Sequence, residues 1–136
     1  MRTLLSIPLN MFLLFAYNVL VFSSTPENWL PDEVVMSFTI PSSQATLHFT
    51  WNIIFVIAGI CILYLEILKA TRTSYLAVID HLLSLMVFVV FLIELIVLRD
   101  MGSATFLILT LLALIDVIAG FTVSLSTARR DIAIDG

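Results

Sequence analysis

Hydrophobic and polar positions divide the chain into four long apolar runs, at about 4–22, 51–68, 75–98 and 104–126. Each has the length, roughly 17 to 25 residues, that an α-helix needs to cross the hydrocarbon core of a bilayer. The connectors 69–74 and 99–103 are short and polar, so the second, third and fourth helices are expected to run antiparallel to their neighbours.

The stretch 23–50 follows a different rule. It opens with the irregular segment Thr25-Pro26-Glu27-Asn28-Trp29-Leu30-Pro31-Asp32, whose indole suits a membrane interface. The period then drops to two: Val34, Met36, Phe38 and Ile40 alternate with Val35, Ser37 and Thr39. After a turn at Pro41-Ser42-Ser43, Gln44, Thr46, His48 and Thr50 alternate with Ala45, Leu47, Phe49 and Trp51. This alternation predicts two strands joined as a β-hairpin, with a grazing extended loop as the plainer alternative. A lone hairpin is marginal in water, so its apolar face is expected to rest on the bilayer, on the helix ends or on another chain.

Composition sharpens the picture. Of 136 residues, 61% are hydrophobic and 12% charged, and the mean hydropathy is +1.15; a soluble domain carries about 25% charged residues. Too little polar side chain remains to cover a water-soluble fold of this size, whereas a bilayer accepts apolar groups on the outside. The net charge is -4 and the six bases are scattered, so no basic stripe exists to follow a nucleic-acid backbone. Cys61, the single cysteine, excludes an internal disulfide and reads as a small core residue.

Positive residues orient the spans, because cytoplasmic loops retain them. Arg2, Lys69, Arg72, Arg129 and Arg130 fall on one side and only Arg99 on the other, so both termini are expected in the cytoplasm and the 23–50 stretch outside. The first run, ending Val21-Phe22-Ser23-Ser24, also resembles a signal peptide with a small-residue cleavage site. Retention as a span is the expectation, since the run is long for a signal peptide and cleavage would leave three spans.

Ionisable residues inside spans are costly and mark pairing or functional positions. Five need explaining: Glu66 near the inner end of the second helix, Asp80 and His81 near the inner end of the third, Glu94 near its outer end, and Asp116 about midway down the fourth. Asp80, Ser84, Val87, Phe91 and Glu94 recur at helical spacing and form one stripe expected to face protein. Ala113, Asp116, Gly120, Ser124 and Thr127 form a face of small residues that permits close helix packing.

Two readings follow. In one, Glu94, Asp116 and Asp80 with His81 make a ladder for protons or ions, groups whose protonation changes at modest cost. In the other, favoured here, each acid is paired: Asp80 and Glu66 with Lys69, Arg72 or His81, Glu94 with Arg99, and Asp116 with hydroxyls or the amides of Asn10, Asn18 or Asn52.

Catalytic signatures are missing. His48 lies outside the membrane and is expected to be solvated, too far from His81 to share a haem iron. No H-x-x-x-H, E-x-x-H or paired-cysteine spacing supports a metal, and no glycine-rich phosphate loop or G-x-S-x-G elbow is present. Neither enzyme activity nor a cofactor is expected.

The residues Phe38-Thr39-Ile40-Pro41-Ser42, Leu65 to Thr73, Asp80-His81, Leu114-Ile115-Asp116 and Ala128-Arg129-Arg130-Asp131 resemble a group of small uncharacterised four-helix bacterial inner-membrane proteins. The resemblance spans most of the chain and implies topology and a bacterial inner membrane, but no mechanism. The expected fold is therefore an all-α membrane protein, a four-transmembrane-helix bundle forming one domain over 1–136, with a small extracytoplasmic β-hairpin between helices 1 and 2. The expected role is a non-catalytic subunit or oligomeric building block. Its partners would be the lipid bilayer and copies of itself or other membrane subunits. A proton- or ion-conducting oligomer, or a module binding a periplasmic partner through the hairpin, are the alternatives.

Overall fold

The computed structural model describes residues 7–71 and 75–134, with side chains described except at 75–78, 124 and 127–134. Four helices, α1 (Leu9–Phe22), α2 (Trp51–Ala70), α3 (Tyr75–Val97) and α4 (Ala104–Ile134), surround one core, and a two-stranded antiparallel hairpin, β1 (Val34–Thr39) and β2 (Thr46–Thr50), stands between α1 and α2. Short 3-10 turns at Leu30–Asp32 and Arg99–Met101 complete the connections.

Helices α2, α3 and α4 contain segments long and apolar enough to cross a membrane, with mean hydropathies of 2.4, 2.3 and 2.5. The first helix is shorter than expected. It has 14 residues, about 21 Å at 1.5 Å per residue, because Pro8 sits extended at its N-cap. Proline lacks the N–H a helix interior requires and disfavours helical backbone in the residue before it. Positions 4–6 of the expected span lie outside the described residues. The fourth helix, in contrast, continues well past 126, reaching Ile134.

Helix starts follow local chemistry. Thr50 caps α2 by accepting from Ile53 N, and the Ser103 hydroxyl accepts from Phe106 N at 3.1 Å at the start of α4. Each satisfies one of the orphan donors of a first turn.

In the hairpin, Met36 faces Phe49, Ser37 His48, Phe38 Leu47 and Thr39 Thr46, with an irregularity between Val34 and Met36. One face is thus apolar and the other polar, where Ser37 Oγ lies 2.8 Å from His48 Nδ1 and Thr39 Oγ1 3.1 Å from Thr46 Oγ1. Gln44, expected in the second strand, belongs to the turn. It takes a left-handed φ of 57°, its N–H donates to Ile40 O, and its side chain donates to Pro41 O at 2.8 Å, which together close the reversal. All of β1 and residues 46–48 of β2 are exposed, while Phe49, next to the start of α2, is half-buried.

The core lies toward the hairpin end of the bundle. Leu13, Leu14 and Tyr17 of α1 meet Val87 and Phe91 of α3 and Phe106, Leu109 and Ala113 of α4. Tyr17 stacks edge-on to Phe55 at 5.1 Å, and Phe106 lies 5.4 Å from both Tyr17 and Phe91. Cys61, expected in this core, is exposed instead. It shares the outward face of α2 with Ile57, Ile60 and Tyr64, which are also exposed.

Candidate functional site

Below the apolar core a polar layer joins all four helices. Lys69, one turn after Glu66 on α2, is its hub: Nζ donates to Glu66 Oε2 at 3.0 Å, to Asp80 Oδ1 of α3 at 3.3 Å and to the Ile7 backbone oxygen at 3.1 Å. Lys69 thus forms ion pairs with both carboxylates. An ammonium has three donors, and all three find acceptors here.

Glu66 has a second duty that the sequence did not reveal. The Leu9 N–H donates to Glu66 Oε1, so a carboxylate from α2 caps α1, whose own N-cap residue Pro8 supplies no side-chain acceptor. An anion at a helix N-terminus meets both an orphan N–H and the positive end of the helix dipole.

One step deeper into the bundle, Asn10 Nδ2 of α1 donates to Asp116 Oδ2 of α4 at 3.1 Å, and the Ser84 side chain of α3 also hydrogen-bonds Asp116. Asn10, Ser84 and Asp116 are all buried. Glu66 and Asp80 lie within electrostatic reach of Asp116. The three carboxylates therefore form one electrostatically linked cluster.

His81 closes the layer from α3. Its ring packs on Gly120 of α4 and lies 5.8 Å from the Phe121 ring. Ala113 and Gly120 are both buried on this face of α4. The side chains of Ser124 and Thr127, expected to extend the face, lie outside the described residues, as does Arg72.

Glu94 stands apart, near the C-terminal end of α3. Its partner is not Arg99, as expected, but Asn18, whose Nδ2 donates to Glu94 Oε2 at 2.8 Å. Arg99 sits beyond the end of α3 in the 3-10 turn and is exposed, whereas Asn18 faces Glu94 across the α1–α3 contact. Between Ser84 and Glu94 the α3 stripe holds Val87 and Phe91, both buried in the apolar core. The buried hydroxyl of Thr110 donates to Phe106 O of its own helix at 2.8 Å.

A further polar set ties down the loop between α1 and the hairpin. Tyr17 Oη donates to Asn52 Oδ1 at 3.0 Å and lies 3.3 Å from Ser103 Oγ, while Asn52 Nδ2 donates to Asp32 Oδ1 at 2.8 Å. Among the described residues, no group of three or more His, Cys, Asp or Glu side chains could hold a metal ion. Compared with protein-family models, curated proteins and solved structures, the chain matches none.

Proposed function

We propose that this chain is a small multi-pass membrane protein, a non-catalytic subunit or oligomeric building block that uses its outer hairpin to engage a neighbour. The observation that carries the reading is the hairpin itself. Val34, Met36, Phe38 and Leu47 are each about half exposed or more, on a two-stranded sheet with both edges unpaired. Such a sheet gains stability when its apolar face or an edge is covered.

Membrane insertion is supported by the outward faces of the helices. Phe15, Tyr64, Met86, Ile93, Ile96, Ile118 and Leu125 are exposed on all four, an arrangement stable in lipid and not in water. A groove of about 300 Å³ between Met11 and Leu14 of α1 and Leu83, Met86 and Val90 of α3 is likewise apolar. The short α1 fits as a fourth span because its inner end meets Glu66 and Lys69, so the backbone there is satisfied by protein. The positive side chains and the family resemblance support a bacterial inner membrane with both termini in the cytoplasm.

Cross-linking in native membranes tests the role: a discrete oligomer or hetero-complex is expected, lost on deletion of 34–50. Monomer alone at every cross-linker concentration would sink it.

A second reading, an ion- or proton-conducting oligomer, draws on the closeness of Glu66, Asp80 and Asp116. The apolar block formed by Val87, Phe91, Phe106 and Leu109 weighs against conduction through one copy. Flux in proteoliposomes that vanishes in Asp116→Asn while assembly persists would favour it.

A further inference from the structure

A second cavity, of about 350 Å³, opens at the outer end of the bundle and is lined by Val21, Ser24, Thr25, Pro26, Trp29, Arg99 and Asp100. Three independent elements build it. The last turn of α1 supplies Val21, and Ser24 follows just past the C-cap Ser23. The loop above is pinned by reciprocal backbone bonds between Thr25 and Asn28, at 3.1 and 3.0 Å, and by Leu30 N donating to Ser24 Oγ. The opposite wall is the Arg99–Met101 turn, anchored by the fully buried Met101, which leaves Arg99 and Asp100 exposed beside the cavity.

Its chemistry is dual. One guanidinium and one carboxylate border the same space and form no ion pair with each other, while Val21 and the Trp29 indole supply an apolar wall. We propose that this cavity binds the headgroup of an amine-bearing zwitterionic phospholipid, the phosphate at Arg99 and the primary ammonium at Asp100. A guanidinium matches phosphate oxygens with paired N–H donors, and a primary ammonium, unlike a quaternary one, donates hydrogen bonds to a carboxylate.

The surroundings select the zwitterion over an anionic lipid. The outer connections carry Glu27, Asp32, Glu33 and Asp100 against the single base Arg99, so a headgroup with net negative charge meets repulsion that a neutral one escapes. The lipid source over a free zwitterion follows from the position of the cavity at the end of the bundle, where the Trp29 indole forms part of its wall and tryptophan favours the membrane interface.

This inference rests on the membrane reading above, and the two fail separately. Native mass spectrometry of the detergent-released protein is titrated with phosphatidylethanolamine, phosphatidylcholine and phosphatidylglycerol of identical acyl chains. Phosphatidylethanolamine is expected to be retained about tenfold better than either, the ratio one charge-assisted hydrogen bond supplies. Asp100→Asn should erase the preference and Arg99→Gln should lower retention of all three lipids, each with thermal unfolding unchanged, since both side chains are exposed. Equal retention of the three lipids by the parent, or a preference that survives Asp100→Asn, overturns the proposal. Competition by free phosphoethanolamine at the lipid's own concentration overturns the lipid assignment. A protein that partitions into water without detergent overturns the membrane reading instead.

Discussion

The His81 ring occupies the space a side chain on Gly120 would need: a Cβ built on Gly120 would lie 2.6 Å from His81 Nδ1 and 2.7 Å from Cε1. The α3–α4 approach at the polar layer therefore depends on the absence of a single carbon. Gly120→Ala forces the ring or the helix to move, and overpacking of this kind costs ~1–3 kcal/mol against the ~1 kcal/mol that alanine gains in a helix. A net loss is expected in unfolding titrations in mild detergent. It should shrink in a His81→Ala background, because the two sites are coupled through contact.

Gly59 provides the contrast. Its added Cβ would meet Leu112 Cδ1 at 2.9 Å and Leu109 Cδ2 at 3.1 Å, methyl groups at the ends of flexible side chains. Gly59→Ala should change stability by less than about 1 kcal/mol. A loss as large as that of Gly120→Ala in the same titration would contradict this difference between a rigid ring and a mobile methyl.

Lys69 holds two carboxylates and a backbone oxygen in place. Lys69→Met leaves Glu66 and Asp80 buried without their counter-ion, a change that costs ~3–5 kcal/mol in known buried pairs. Most of the loss should return when Glu66→Gln and Asp80→Asn are added, since no buried charge then lacks a partner. Unfolding midpoints of the parent, the single and the triple variant measure it.

Asp116→Asn keeps an acceptor for Asn10 and should leave stability within about 1 kcal/mol of the parent. Asp116→Leu removes the acceptor for both Asn10 and Ser84 and should cost roughly 1–3 kcal/mol more. If the two variants unfold together, the Asn10–Asp116 bond does not hold α1 to α4.

Phe38 and Leu47 face each other across the hairpin and are exposed. Changing both to Ser should leave helix-bundle stability within ~0.5 kcal/mol, as for most surface positions. The cross-linked adduct should fall about tenfold, as for loss of a modest interface anchor. Unchanged cross-linking would show that the apolar face of the hairpin does not carry the contact.

Sequence alone determined the elements and their faces. Apolar runs, alternation at 34–50 and the spacing of Asp80, Ser84, Val87, Phe91 and Glu94 are read directly, because helix and strand periods are properties of local backbone geometry. Pro8 at the N-cap truncates α1, a local rule that apolar length does not express.

Only the tertiary structure decided which face meets which, and at what axial level. Glu66 caps a helix 57 residues away, Asn10 reaches Asp116 across 106, Glu94 selects Asn18 over Arg99, and Cys61 turns outward. Those outcomes depend on the rotation and stagger of whole helices. A periodic pattern is unchanged when a helix slides by one turn, and so cannot record them.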